Sequence, residues 1–202
     1  SATPRARFSL SEIKALRSLI LGLGILFFEH QSQAQSEVVQ VTFPETALNM
    51  KVWTPLSWEA ARPEGMNWSL FSFEVLEQKA PALLNEARDI ENFCPKYSQL
   101  TAEQRLNTMG QLISAMTKFE SGYNPLSRMK EDLGTDPITR QQVRSEGLLQ
   151  LSYQDTLQYK FCEFDWTRDK NLREDDPQKT ILDPFRNLSC GIQILNAQVQ
   201  KY

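Results

Sequence analysis

The chain has 202 residues, 41% of them hydrophobic and 23% charged, with 22 Lys and Arg against 25 Asp and Glu for a net charge of -3. That is the size of one compact domain, or a domain with a tail, and it holds enough apolar material for a core, which excludes a multidomain machine and global disorder. Without a basic excess to neutralise a phosphate backbone, no nucleic-acid partner is expected.

At the start, Arg5, Arg7, Lys14 and Arg17 precede an uncharged run from Ser18 to Phe28, followed by the polar EHQSQA. This order is that of a secretory signal peptide over residues 1–34, cleaved after Ala34, with Ser32 and Ala34 as the small residues of the cleavage site. The apolar run of 11 residues is about half the ~20 that a bilayer span needs, so no stable membrane anchor is expected after cleavage. Because the chain opens on Ser1, a short upstream stretch is expected as well.

Cleavage would leave a net charge of -5 and remove His30, the one histidine. A Ser-His-Asp triad, a Cys-His pair and histidine-ligated zinc are then excluded, and acid–base chemistry falls to carboxylates. Export, to the periplasm or outside the cell, exposes Cys94, Cys162 and Cys190 to oxidation, enough for one disulfide and one spare thiol. With no CxxC pair, they make no metal site, and no cofactor is expected.

Pro44, Pro55, Pro63 and Gly65 make residues 35–66 an irregular, mostly extended leader, with the domain proper over 67–202. From Trp68 to about Glu91 the positions of Phe71, Val75, Leu83, Leu84, Ala87 and Ile90 predict helix in two pieces, the second opened by Pro81. The strongest helix runs from Thr101 to Glu120, where Thr101 and Gln104 form a capping box and Leu106, Met109, Ile113 and Met116 step by three and four. The next step lands on Glu120, so a carboxyl continues an apolar stripe at the last turn of a helix. Gly122 and Pro125 stop that helix, and residues 126–146 predict a small hairpin or loop around Leu133-Gly134-Thr135-Asp136-Pro137. Gly147 to about Lys160 returns to helical spacing. Asp183 as N-cap and Pro184 in the first turn open the last helix, which runs to about Gln200.

Three segments stand in order: Glu120-Ser121-Gly122-Tyr123-Asn124-Pro125, Gly147-Leu148-Leu149-Gln150-Leu151, and Asp183-Pro184 with Asn187, Gly191 and Leu195 at helical spacing. Together they resemble the lysozyme-like family of soluble lytic transglycosylases and goose-type lysozymes, whose pattern is ES-x-x-NP, then GLMQ, then DP-x-x-N-[IL]-x-x-G-x-x-YL. The resemblance covers about residues 101–200. It implies a mainly helical α+β fold with a small β-hairpin as one wall of a cleft, and action on peptidoglycan glycan strands; with the signal peptide the expectation is an exported protein, and a monomer. By the same resemblance Glu120 is the general acid on the bond between N-acetylmuramic acid and N-acetylglucosamine. Gln150 binds sugar, Gly147 brings backbone close to the cleft, and Asn187 lies on the helix behind it. Ser121, Tyr123 and Tyr153 complete the candidate substrate contacts.

The chain departs from the pattern at several points. Leu149 replaces the family methionine, a conservative exchange. Ile194 stands where the family has a tyrosine, so a hydroxyl is missing unless Tyr123, Tyr153 or Tyr159 supplies one. Leu157 to Leu182 is a long segment for the family, and its Phe161, Phe164 and Trp166 fit either sugar stacking or core. A disulfide from Cys162 to Cys190 would tie this insertion to the last helix, with Cys94 pairing to either as the competitor. Inverting hydrolysis requires a second carboxylate, for which Asp132, Asp136 and Glu146 are the candidates, although Asp136 also suits a turn. A lytic transglycosylase would need Glu120 alone and would leave 1,6-anhydro ends. An inactive glycan-binding scaffold is the alternative of another class. The acidic charge adds one expectation, a preference for glycan that has lost N-acetyl groups and presents ammonium ions to Asp132, Asp136, Glu163 or Asp165.

Overall fold

A computed structural model describes residues 54–201, so the expected signal peptide and the leader up to residue 53 lie outside the described residues. The helices are α1 (Gly65–Lys79), α2 (Pro81–Asn85), α3 (Ala102–Ser121), α4 (Asp155–Gln158), α5 (Trp166–Asp169) and α6 (Pro184–Val199). Between α3 and α4 lie strands β1 (Arg128–Thr135) and β2 (Gln142–Glu146). The result is the expected mainly helical fold with one small antiparallel hairpin.

α3 begins as its sequence dictates. The Thr101 hydroxyl accepts from Gln104 N–H at 3.3 Å, and the Gln104 side chain accepts from Thr101 N–H at 2.9 Å, so two otherwise orphaned donors are satisfied. Its stripe of Leu106, Met109 and Ile113 is buried against α1 and its neighbours. Gly110 sits in this stripe because a Cβ there would meet the Phe73 ring at 2.6 Å and Leu56 at 3.1 Å.

Leu56 and Trp58 are as buried as any residue of the helices, so the folded unit starts ahead of residue 67 and takes in the end of the leader. Trp58 meets Trp68 edge-on with ring centroids 6.0 Å apart, and its indole N–H donates to Ser69 Oγ at 2.8 Å. Periodicity could not show this, because a short 3-10 turn, Ser57–Ala60, carries the tryptophan inward. Pro81 opens α2 as predicted.

The hairpin pairs Arg128 with Glu146, Met129 with Ser145 and Lys130 with Arg144, then shifts register before Thr135 pairs with Gln142. The segment after it corrects the sequence reading. Instead of a helix from Gly147 to Lys160 there is a turn, closed by a bridge between Glu146 and Leu151, and only Asp155–Gln158 is helical. Gly147 and Gln150 both adopt positive φ, 84° and 50°, which a right-handed helix cannot contain.

Cys162 and Cys190 form the expected disulfide with Cα atoms 4.7 Å apart, and Cys94 is free. The disulfide sits in a second apolar cluster with Tyr153, Phe164, Ile181 and Leu182, which fastens the insertion to α6. Phe164 is therefore core, whereas Phe161 and Trp166 are half-buried. Among the described residues no helix is long and apolar enough to cross a membrane.

Candidate active site

The stripe of α3 rises out of the core as it runs: Ile113 is buried, Met116 is half-buried and Glu120 is exposed. The carboxylate that the sequence places on an apolar stripe is thus open to solvent rather than covered, beside Phe119, which is 87% exposed. Among the described residues no group donates a hydrogen bond to it or pairs with it.

The chain leaves α3 through two consecutive left-handed residues, Gly122 at φ 59° and Tyr123 at φ 63°. That conformation is costly for tyrosine, and burial with two hydrogen bonds holds it. Tyr123 is buried, its hydroxyl donates to Ser57 Oγ at 2.8 Å, and its carbonyl accepts from Arg62 Nε at 2.6 Å. The half-buried Ser121 donates its hydroxyl to Thr117 O at 3.0 Å. Both residues therefore shape the turn that presents Glu120.

The three sequence segments meet directly. Ser127 O, just past the turn, accepts from Gly147 N–H at 2.9 Å and from Gln150 Nε2 at 3.2 Å. Gln150 Nε2 also donates to Gly147 O at 2.8 Å, so both N–H groups of this amide are spent on backbone and only its oxygen is left to meet a sugar. From behind, Asn187 accepts Leu149 N–H at 2.7 Å and donates to Glu146 O and Ile181 O, each at 3.0 Å. Asn187 is fully buried, so it is a staple for the turn and makes no sugar contact. A Cβ on Gly147 would overlap that asparagine's amide, and one on Gly191 would overlap Leu149. The glycines let the last helix and the turn approach this closely.

The hairpin carboxylates differ sharply in what they are free to do. Asp136 is buried and accepts three backbone N–H groups, from Ile138 at 2.7 Å and from Thr139 and Gln154 at 3.1 Å, which makes it the turn residue. Glu146 is buried and paired with Lys179 at 2.9 Å. Asp132 is exposed on β1, and its neighbour Glu131, which the sequence reading passed over, is half-buried on the same strand.

Asp136, Glu146 and Tyr153 instead line a polar pocket with Arg144, Asp169 and Lys179, whose wall does not include Glu120. Tyr153 donates to Asp169 at 2.9 Å, and burial together with that negative charge pushes its hydroxyl far above the ordinary tyrosine range. Glu174 closes the pocket by pairing with Arg144 at 2.6 Å and Arg128 at 3.2 Å; the hydrogen bond from Arg144 lowers the pKa of Glu174 and raises that of Arg144. Each of the three tyrosine hydroxyls already has a partner in place of the role lost at Ile194, although that of Tyr159 keeps its proton free to donate. Tyr123 is tied to Ser57, Tyr153 to Asp169, and Tyr159 accepts from Gln158 at 3.0 Å. Lys179 and Asp169 carried no motif, and only the length of the insertion pointed to them. Among the described residues no cluster of histidine, cysteine or carboxylate could hold a metal ion.

The chain matches no family model and no curated protein. It is similar to solved structures of the Bdellovibrio protein DslA. The wild-type structure is 34% identical, with a TM-score of 0.59 and 70% of each chain covered. A variant with one glutamate replaced by glutamine is 32% identical, with a TM-score of 0.61 and 72% of each chain covered. A second glutamate-to-glutamine variant gives 33%, 0.59 and 70%.

Proposed function

The chain belongs to the family of DslA, and we propose that it is an exported peptidoglycan-cleaving glycosidase, a lysozyme that cuts the β-1,4 bond between N-acetylmuramic acid and N-acetylglucosamine. Glu120 is the proton donor to the leaving oxygen. The observation that carries this reading is the junction at Ser127 and Asn187. It draws the three lysozyme-like segments into one structure and leaves the Glu120 carboxylate exposed and unpaired at its edge. Because protein does not cover that carboxylate, a bound glycan strand supplies the water-excluding wall, and proton transfer is worth about 10²–10⁴ in rate.

Hydrolysis needs a second carboxylate, and two of the three expected candidates are engaged elsewhere: Asp136 in its turn and Glu146 with Lys179. Glu131 and Asp132 remain. In DslA the two glutamates replaced by glutamine stand eleven positions apart, the spacing of Glu120 and Glu131 here. Glu163 and Glu174 share that spacing, but they are paired with Arg186 and with Arg144 and Arg128. We therefore assign Glu131 ahead of Asp132 as the group that activates water. The preference for de-N-acetylated glycan follows from the same place, since these two carboxylates can receive a sugar ammonium.

A lytic transglycosylase is the second reading, favoured by the engagement of Asp136 and Glu146. Mass spectrometry of the products separates the two. Reducing ends that vanish in Glu131→Gln support hydrolysis as described. Anhydro ends, formed at full rate by Glu131→Gln, establish lytic cleavage by Glu120 alone. A wall digested no faster with enzyme than without it overturns both.

A further inference from the structure

Phe161, which by sequence fits either core or a sugar-stacking surface, stands half-buried in the wall of a groove of about 750 Å³. That lies inside the roughly 300–1,000 Å³ that small-molecule clefts span. One side of the groove is the start of the insertion. There a turn, closed by Cys162 N–H donating to Tyr159 O at 3.0 Å, brings the rings of Tyr159 and Phe161 together with centroids 5.6 Å apart and planes tilted by 37°. The other side is the last turn of α6 and the residues after it, Ala197, Gln198, Gln200 and Lys201. The disulfide from Cys162, next to Phe161, to Cys190 on α6 fastens one side to the other. None of the described lining residues comes from α3 or the hairpin, so Glu120 and Glu131 have no part in this wall.

The wall differs chemically from the rest of the chain. The net charge of the chain is -3, yet no carboxylate is among the described lining residues, and Lys201 supplies their one charge. Gln158, Gln198 and Gln200 are exposed, and each primary amide can both donate and accept. Gln158 Nε2 donates to the Tyr159 hydroxyl at 3.0 Å, which leaves that hydroxyl its own proton to give. Flat rings beside neutral groups of both hydrogen-bonding senses match a ligand with C–H faces and an edge of hydroxyl and acetamido groups, which describes an N-acetylated sugar. A purely apolar ligand would strip water from three amides, and a peptide bearing several carboxylates would find a single cation to pair with.

We propose that this groove binds the N-acetylated glycan strand, one sugar ring lying on Tyr159 and Phe161 while its hydroxyl and acetamido groups meet Gln158, Gln198 and Gln200. Because the site is a groove and not a closed cavity, an internal sugar of a long strand can enter from the side. That the strand belongs to peptidoglycan rests on the function proposed above; the contacts themselves require only N-acetylated sugar. A second hold on the polymer keeps the protein at an insoluble wall between cuts, by raising the effective concentration of strand at the first site.

NMR of Glu120→Gln, in which the proposed proton donor is gone, titrated with the tetrasaccharide of N-acetylglucosamine, locates the binding. The side-chain amide signals of Gln158, Gln198 and Gln200 should shift and saturate at millimolar sugar. Phe161→Ala in the same background should weaken this by about tenfold. Because that ring also packs on the second apolar cluster, the second variant is Ala197→Arg. Its cation suits the last turn of a helix and its length fills the groove, so it should abolish the shifts while the protein keeps its urea midpoint. Groove amides unmoved by millimolar sugar, equal shifts with L-alanyl-D-isoglutamine, a wall peptide without sugar, or undiminished shifts in folded Ala197→Arg overturn the proposal. Shifts as expected from a protein that does not cleave peptidoglycan would refute the glycosidase reading and uphold the groove.

Discussion

Asn187→Ala should be among the most damaging single substitutions in the domain. It strips one backbone N–H, that of Leu149, and two carbonyls, those of Glu146 and Ile181, of buried partners held at 2.7, 3.0 and 3.0 Å. At about 1–3 kcal/mol each, partly relieved by water entering the vacated space, the expected cost is about 3–5 kcal/mol, a large part of the ~5–15 kcal/mol that holds a domain folded. Gly147→Ala alone should also be costly. Its φ is 84°, worth about 1–2 kcal/mol for a residue with a Cβ, and the new methyl would overlap the Asn187 amide and approach Ile181 O at 2.9 Å. With Asn187 already shortened the overlap with its amide disappears while the approach to Ile181 O and the φ cost remain, so the double variant should be more stable than the sum of the singles predicts by about 1–2 kcal/mol. Urea unfolding followed by circular dichroism measures all four proteins. With a slope near ~2 kcal/mol per molar, Asn187→Ala should lower the midpoint by about 1.5–2.5 M. A cost below about 1 kcal/mol for Asn187→Ala, or additivity within about 0.5 kcal/mol, would refute the staple.

Replacing Cys162 and Cys190 together by alanine should cost roughly 3–4 kcal/mol, the chain-entropy value for a loop of this size, and non-reducing peptide mapping should find those two linked with Cys94 open to alkylation. Burial raises the Tyr97 hydroxyl from 10.0 to about 12, against a smaller opposing pull from Arg105. The folded protein thus keeps a proton that the unfolded chain releases, so this contribution is complete below the unfolded value of 10.0 and is lost as pH climbs towards about 12. Urea midpoints at rising pH should fall less steeply in Tyr97→Phe; an unchanged slope would show that the hydroxyl is not buried in its neutral form. The Glu174 carboxyl, lowered by Arg144, should titrate in the folded protein below its ordinary range by NMR and return towards it in Arg144→Gln.

The parts of the fold that were legible in the sequence are those whose information is local. The Thr101–Gln104 box, the 3-and-4 stepping of Leu106, Met109 and Ile113, and the Asp183–Pro184 opening each fix a helix from a few neighbouring residues, and the structure has all three features. The turn at Gly147 was misread as helix because Leu148, Leu149 and Leu151 have helical spacing. What decides the conformation there is a contact 38 residues away, from Asn187 to Leu149 N–H. Trp58 was missed for a similar reason, since its partners Trp68 and Ser69 lie on a helix that the leader only meets after folding. At the candidate site, Glu120 could be nominated because an ordered motif surrounds it. The roles of Asp136 and Glu146 could not, because a carboxylate in a hairpin reads the same whether it faces solvent, caps a turn or meets a lysine 33 residues on, as Glu146 meets Lys179.

The central claim is that Glu120 delivers the proton in cleavage of the glycan backbone, and the most direct measurement is release of soluble fragments from purified peptidoglycan by the protein and by Glu120→Gln at equal concentration. The amide keeps the shape of the side chain at an exposed position with no partner among the described residues, so the variant should unfold at the wild-type urea midpoint while its turnover falls by about 10²–10⁴. Fragment release by Glu120→Gln at the wild-type rate would contradict the account.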